Sequence, residues 1–261
     1  QTCALPILDL DRANISRYLN TLYKEGKLEK IEGRPVLYSV IKKNSLYKNK
    51  GSNIDLNNKN SLDKMVGAEQ SLQIPIQQAK AAILYPPRGL HTLILGETGV
   101  GKSMFAELMY EFARESGVIS ENAPFIRFNC ADYVDNPQLV MAQIFGVKKG
   151  AYTGADCDKD GLLKKADGGI IFLDEIHRLP PEGQEMLFLF IDKKRFRRLG
   201  EVTSERTSNV LIIAATTENP NSSLLTTFMR RIPSCIRIPN LKDRSLTEKF
   251  SLVNKIGRAH V

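Results

Sequence analysis

The clearest chemical signal in the sequence is a phosphate-binding pattern. The segment GETGVGKS, residues 96–103, fits G-x-x-x-x-G-K-[ST] at every position and lies between a strand-like run and a helical stretch. Glycines in this pattern let backbone N–H groups surround a phosphate chain, and the N-terminus of the following helix adds a positive field. Lys102 would contact the β- and γ-phosphates of ATP and Ser103 would hold Mg²⁺, the alternative being a structural glycine turn. The predicted nucleotide-binding residues are Gly96, Glu97, Thr98, Gly99, Val100, Gly101, Lys102 and Ser103.

Two carboxylates follow an apolar run further along the chain. The segment IIFLDE, residues 170–175, is typical of a buried strand that ends in acids. Asp174 would assist the magnesium ion, and Glu175 would polarise the attacking water. Asn129, at the end of the preceding predicted strand, could hydrogen-bond Glu175 and hold it back until needed, or could simply cap its strand. An apolar strand ending in acids is common by itself, so its place after a phosphate loop is what predicts the second half of an ATPase site.

A glycine-bracketed segment, GAYTGA, lies between these two halves. Glycine at each end allows a sharp bend. We predict a loop that moves with the nucleotide and touches a partner, whereas a solvent loop without a partner is the alternative. The predicted partner-binding residues are Gly150, Ala151, Tyr152, Thr153, Gly154 and Ala155.

An alternation of strands and helices from about residue 64 would position these motifs. Apolar strands separated by helices predict a three-layer α/β core with a largely parallel sheet. No internal repeat is found. The predicted strands are Thr92–Leu95, Phe125–Asn129, Gly169–Asp174, Val210–Thr216 and Ile236–Ile238, and the clearest helices are Ser103–Ser116 and Glu182–Ile191.

The front of the chain has a different character. Residues 8–43 read as a helix followed by a hairpin, and they resemble the second half of a winged helix-turn-helix, which places a helix in the DNA major groove. Residues 8–60 hold eleven Lys/Arg and six Asp/Glu, a bias that favours double-stranded DNA over the alternative of a structural appendage. Residues 44–63, rich in Asn, Lys and Ser, are predicted to be a flexible linker. The predicted DNA-binding residues are Arg12, Asn14, Arg17, Asn20 and Arg34.

The two ends and the composition set further limits. Residues 1–7 and 255–261 can be encoded by complementary adapter-like DNA, so we exclude both from fold reasoning and expect an internal fragment. The chain has a net charge of +8 and 42% apolar residues, and no apolar run approaches the roughly 20 residues of a membrane span. With Cys3 excluded along with its end, three scattered cysteines remain, Cys130, Cys157 and Cys235. They indicate reduced thiols and a cytoplasmic protein.

Residues 64–242 resemble the AAA+ domain of bacterial enhancer-binding proteins, the activators of sigma-54 RNA polymerase. The family signature is GAFTGA, and this chain has GAYTGA, with Tyr152 in place of Phe. The resemblance implies an ATPase ring, usually a hexamer, in which Tyr152 and Thr153 form a contact tip for sigma-54. The strand Phe125–Asn129 resembles the family strand that ends in a switch asparagine, here Asn129.

Two later elements fit the family less closely. Thr217 stands where the nucleotide-sensing Asn is expected, and Asn219 could replace it. Arg230 and Arg231 fall in the region of the arginine finger, which reaches a neighbouring subunit's γ-phosphate, although a solvated basic patch is the alternative. An earlier arginine of many relatives is replaced by Leu224 and Leu225. The basic run Lys193–Arg198 precedes a predicted hairpin that resembles the family's second pore loop.

The domain order resembles the levanase-operon-regulator type of this family, since the wing precedes the ATPase and is followed by the run Ala82–Pro87. Such proteins are controlled by the sugar phosphotransferase system through further domains. Residues 243–254 would begin a helical lid, so we expect poor ATP hydrolysis and no stable ring from these residues alone. The expected function is an ATP-dependent transcription activator. The alternatives are a repressor or adaptor that senses ATP without productive hydrolysis, and a protein-remodelling ATPase.

Overall fold

The computed structural model describes Thr21, Tyr23, Lys24, Leu28–Ile31, Leu37–Val40 and residues 60–133 and 135–258. For the two strands before residue 41 and for residues 255–258, the description covers the backbone alone. The chain divides into two units, residues 1–53 and 54–261.

In the first unit, strands β1 (Leu28–Ile31) and β2 (Leu37–Val40) pair antiparallel, with Leu28 opposite Val40. This pair agrees with the predicted hairpin. The predicted DNA-binding residues Arg12, Asn14, Arg17, Asn20 and Arg34 lie outside the described residues. The winged helix-turn-helix therefore stays a prediction.

The second unit is built on a parallel five-stranded sheet. Its strand order is β11-β3-β10-β7-β4, and every neighbouring pair is parallel. Two antiparallel pairs of two-residue strands, Gly146–Val147 with Lys159–Asp160 and Arg195–Phe196 with Arg206–Thr207, lie outside this sheet and the first unit. The strands of the second unit are β3 (Thr92–Leu95), β4 (Phe125–Asn129), β5 (Gly146–Val147), β6 (Lys159–Asp160), β7 (Ile170–Asp174), β8 (Arg195–Phe196), β9 (Arg206–Thr207), β10 (Leu211–Thr216) and β11 (Ser234–Arg237).

Helices cover both faces of the sheet. Along β3, Ile94 packs into one apolar cluster while Leu93 and Leu95 pack into another, because successive side chains of a strand point to opposite faces. The first cluster contains α1 and α2, and the second contains α3, α4, α5 and α7, so the predicted three-layer α/β core is confirmed. The α-helices of this unit are α1 (Gln73–Leu84), α2 (Lys102–Glu115), α3 (Pro137–Phe145), α4 (Leu162–Lys165), α5 (Pro181–Lys193), α6 (Pro220–Ser223), α7 (Thr226–Met229) and α8 (Leu246–Arg258).

One predicted boundary needs correction. Residues 44–63 were expected to form a flexible linker, but Ser61–Lys64 is a 3₁₀ turn in which Leu62 is fully buried. The Ser61 hydroxyl donates to the Leu108 carbonyl of α2 at 3.1 Å. The core therefore begins no later than Ser61, because a buried apolar side chain anchors the turn where the polar composition alone had suggested a linker.

The last described helix, α8, follows a buried arginine. Residues 241–243 form a 3₁₀ turn, and α8 continues to Arg258, four residues beyond the predicted lid segment 243–254.

Within the described residues, no helix is long and apolar enough to cross a bilayer.

Candidate functional site

The phosphate loop connects β3 to α2 at the carboxyl end of the sheet. Gly101 caps α2 with φ 98°, a left-handed conformation that a side chain would strain. The Lys102 ammonium, only 7% exposed, donates to the carbonyls of Gly96 at 2.9 Å and Glu97 at 3.2 Å. These bonds hold a positive charge inside the loop, at the N-terminus of a fourteen-residue helix, where a phosphate is favoured.

Ser103 and Asp174, which come from the two sequence motifs, are joined by a hydrogen bond. The Ser103 hydroxyl donates to Asp174 Oδ2 at 3.0 Å, and the Glu175 backbone N–H donates to Asp174 Oδ1 at 3.0 Å. Hydroxyl and carboxylate oxygens are hard donors of the kind that Mg²⁺ takes together with phosphate oxygens. The pair therefore fits a magnesium ion bound with a nucleotide.

Glu175 is held by side chains that the sequence reasoning did not assign to it. Its backbone is left-handed, with φ 49° and ψ 47°, a strained conformation for a residue other than glycine. Its carboxylate Oε2 accepts from the Thr217 hydroxyl at 3.0 Å and lies 3.3 Å from His177 Nδ1. The acid is thus fixed at the edge of the site while 24% of its side chain stays exposed.

Asn129 lies beside this acid but is bonded elsewhere. It is the register partner of Asp174 on the neighbouring strand. Its amide donates to Asp132 Oδ1 at 2.9 Å, and its carbonyl oxygen accepts from the Ala131 N–H at 3.1 Å. In this conformation the partners of Glu175 are Thr217 and His177, so the switch role of Asn129 stays a prediction.

The two sensor candidates are separated by their contacts. Thr217 contacts Glu175, whereas the Asn219 side chain accepts from the Asn221 N–H at 3.1 Å and caps α6. Side-chain caps of this kind contribute about 1 kcal/mol to a helix. Of the two residues, Thr217 is the one that contacts Glu175.

The two arginine-finger candidates also differ. Arg231 forms an ion pair with Asp192 of α5, and its guanidinium lies 5.1 Å from the centre of the Phe188 ring. Arg230 is exposed, and no side-chain bond from it is found among the described residues. A surface ion pair and a cation–π contact together supply about 1–2 kcal/mol, enough to favour the inward position of Arg231 and leave Arg230 available.

The GAYTGA segment forms a closed turn near β5. The Gly150 N–H donates to the Ala155 carbonyl at 2.8 Å, and Gly150 and Gly154 have φ of 82° and 97°. Tyr152 packs partly buried on a small apolar cluster with Val147 and Leu199, while Thr153 is exposed. In this conformation Thr153 forms the accessible tip.

The second hairpin, β8–β9, is tied to this segment by charges. Arg198 Nε donates to Glu201 Oε2 at 3.1 Å, and its guanidinium reaches Asp158 Oδ2 at 3.0 Å, three residues after the GAYTGA segment. The Arg198 bond lowers the pKa of Glu201 to about 2. A 2.9 Å hydrogen bond from the Lys148 N–H, just before the GAYTGA segment, to the Leu199 carbonyl also joins that segment to the second hairpin. The two loops therefore form one connected surface.

A cavity of about 750 Å³ lies beside the phosphate loop and is lined by Val100 and Arg244, among others. Arg244, missed by the sequence reasoning, closes one side of it: the guanidinium is buried and donates to the Val100 carbonyl at 2.9 Å and to the Pro239 carbonyl at 3.2 Å. Burial lowers the pKa of Arg244. The lining is mostly apolar, which suits the faces of a planar ring, and it includes Met65, Val66, Val100, Met104, Leu241 and Val253.

Comparisons with known proteins agree with this geometry. Residues 65–233 match the Sigma-54 interaction domain family. The transcriptional regulatory protein LevR of Bacillus subtilis (strain 168) is 51% identical over 264 residues, which cover 94% of this chain and 28% of LevR. DagR of Salmonella typhimurium is 40% identical over 266 residues, again 94% of this chain and 28% of that protein. The chain thus spans under a third of the length of both relatives.

A solved structure supports the fold. NtrX of Brucella abortus in complex with ADP superposes with a TM-score of 0.61 at 24% identity, over 74% of this chain and 41% of that one. The family match, the relatives and the three-layer core agree with one another. The chain belongs to the Sigma-54 interaction domain family, the AAA+ domain of sigma-54-dependent activators, and is of the LevR type.

Proposed function

We propose that this chain is the ATP-hydrolysing module of a transcription activator that remodels sigma-54 RNA polymerase. The convergence of Lys102, Ser103, Asp174 and Glu175 at one edge of the sheet supports the ATPase step. The observation that carries the link to sigma-54 is the GAYTGA turn with its exposed Thr153, on the same domain as that edge.

The residues divide the hydrolysis step between them. Lys102 would bind and neutralise phosphate oxygens, and Ser103 and Asp174 would hold Mg²⁺, which when bound would offset the charge that develops on the phosphates. Glu175 polarises the attacking water, and Arg230 from a neighbouring subunit stabilises the transferring phosphoryl group. A ring of subunits, a hexamer by resemblance, follows from an arginine that acts in trans.

Hydrolysis of ATP would drive movement of the GAYTGA loop. Tyr152 rests on Val147 and Leu199 in the present conformation, and the Arg198–Asp158 ion pair connects the loop to the second hairpin. A shift of the second hairpin with the nucleotide state would lift the GAYTGA turn and present Tyr152 beside Thr153. We propose sigma-54 as the surface that these two residues contact.

The remaining parts of the proposal concern regulation. The N-terminal unit would bind double-stranded DNA, and sugar phosphotransferase proteins would control the activator through domains other than those of this chain. LevR, a transcriptional regulatory protein by name, supports the regulatory assignment. A cytoplasmic location is part of the same proposal.

Capture of sigma-54 tests the contact tip. Full-length protein loaded with ADP–aluminium fluoride is expected to retain purified sigma-54, and Thr153→Ala is expected to weaken this retention by at least about tenfold, the loss typical of a truncated contact at the centre of an interface. Ser120→Ala is the matched control, because it also removes an exposed hydroxyl but from the loop between α2 and β4. If Thr153→Ala retained sigma-54 as the wild type does, the assigned tip would be wrong.

A further inference from the structure

The carboxylate of Glu175 is contacted by His177, which lies two positions after it in the chain. His177 belongs to the 3₁₀ turn Ile176–Arg178 and is only 7% exposed at its side chain. The left-handed backbone of Glu175 starts this turn and brings His177 Nδ1 to 3.3 Å from Glu175 Oε2. Thr217, at the end of the adjacent strand β10, donates to the same oxygen at 3.0 Å. One carboxylate oxygen therefore faces two side chains.

The neighbours of the ring determine where its proton lies. An ionised carboxylate only accepts hydrogen bonds, so a nitrogen at 3.3 Å from Glu175 Oε2 is attractive only if it carries a proton. Thr216 Oγ1, fully buried, lies 2.9 Å from the same Nδ1 and accepts from the Glu218 N–H at 3.1 Å. Nδ1 thus lies between two oxygen atoms, which hold the ring plane, and the Glu175 carboxylate favours the tautomer that carries the proton on Nδ1.

The ring is surrounded by charges of both signs. Burial lowers the pKa of His177, Glu175 and Glu218 act in the opposite direction, and Arg178 and Lys102 add to the lowering. The net lowering of the His177 pKa favours the neutral imidazole at neutral pH. A second proton, taken up at acid pH, would place a full positive charge beside the carboxylate that has to attract a proton from water.

We propose that His177 is a positioning residue for ATP hydrolysis, which orients the Glu175 carboxylate together with Thr217. The proposal rests on the assignment of Glu175 as the group that polarises water. In this arrangement the Glu175 side chain is held by Thr217, which directly follows β10, and by His177, in the turn after Glu175. Asn129 is instead bonded to Asp132. Thr217, at the predicted sensor position, is joined to Glu175 by a direct hydrogen bond.

Two substitutions separate positioning from structure. His177→Ala removes the side chain that faces Glu175, so the kcat for ATP is expected to fall by about tenfold or more while KM changes by less than about threefold. The reason is that, among the described residues, no hydrogen bond or ion pair joins His177 to the phosphate loop. His177→Asn keeps an N–H close to the place of Nδ1 and cannot titrate. It is expected to restore most of the lost kcat at pH 7.5.

The pH profile of the full-length protein supplies the second readout. In the wild type, kcat falls as the pH drops below the depressed pKa of His177, since the imidazolium weakens the base. In His177→Asn this acid limb is expected to move to lower pH. Thermal unfolding and nucleotide affinity, measured for each variant, check that the fold and the phosphate loop are intact.

The outcomes distinguish this inference from the proposed function. If Glu175→Gln stops hydrolysis but His177→Ala and His177→Asn both keep the wild-type kcat and acid limb, the role of His177 is refuted and the ATPase assignment stands. If Glu175→Gln hydrolyses ATP normally, the ATPase assignment itself fails. Should His177→Ala not fold, an acid limb in His177→Asn identical to that of the wild type would still refute the proposal.

Discussion

Glu175→Gln is expected to lower the rate of ATP hydrolysis in the full-length protein by about 10²–10⁴-fold, the usual contribution of a general base. Glutamine keeps the shape and the oxygen that accepts from Thr217, but it lacks the negative charge that attracts the proton of water. ATP affinity should change little, because the Lys102 contacts and the Ser103–Asp174 pair do not involve the Glu175 carboxylate. Steady-state phosphate release and equilibrium ATP binding measure the two effects separately.

The control for this change is Glu121→Gln, which removes the same charge from an exposed residue between α2 and β4. It should hydrolyse ATP as the wild type does. Undiminished turnover in Glu175→Gln would remove Glu175 from its assigned role. A full-length wild type that binds ATP without turnover would instead favour the alternative of a repressor or adaptor that only senses the nucleotide.

Arg230→Ala is expected to reduce hydrolysis by about 10³-fold or more under conditions where subunits assemble, the range seen for arginine fingers. The physical reason is the loss of a guanidinium that stabilises charge on the neighbouring subunit's transferring phosphoryl group. Arg231→Ala is the matched control, since Arg231 is already bound to Asp192 and Phe188. It should retain most of the hydrolysis rate and show a modestly lower melting temperature.

Mixed assemblies would show that Arg230 acts in trans. A ring that combines Arg230→Ala subunits with Glu175→Gln subunits contains sites with an intact Glu175 beside an intact Arg230. Hydrolysis by the mixture should exceed that of either variant alone. If Arg231→Ala, and not Arg230→Ala, behaved in this way, the ion pair with Asp192 would have to open on assembly and the assignment would be reversed.

The phosphate loop was predictable because its chemistry lies in eight consecutive residues. The same holds for β7, where an apolar run ends at Asp174 and Glu175. Helix and strand bounds shifted only slightly: the last strand of the sheet is Ser234–Arg237 rather than Ile236–Ile238. In this edge strand exposed Cys235 and Arg237 flank buried Ile236, so the strand has no continuous apolar run to mark where it begins.

The partners of Glu175 could not be predicted in the same way. They depend on the strand order, which places β10 beside β7, and on the left-handed backbone that turns His177 towards the acid. Neither property is local to a motif. The buried Arg244 was missed for a related reason, because it binds a backbone carbonyl of Val100 that is 144 positions away along the chain.

The central claim is that ATP hydrolysis drives the GAYTGA turn against sigma-54 polymerase, and transcription from a sigma-54 promoter in a purified system tests it most directly. Full-length wild type and Thr153→Ala are compared, with ATP hydrolysis measured in the same samples. The account predicts that Thr153→Ala hydrolyses ATP within about threefold of the wild type but supports less than about a tenth of its transcription. The reason is that, among the described residues, no hydrogen bond joins the turn to the phosphate loop or to Glu175. Wild-type transcription by Thr153→Ala, or activation by Glu175→Gln that cannot hydrolyse ATP, would contradict it.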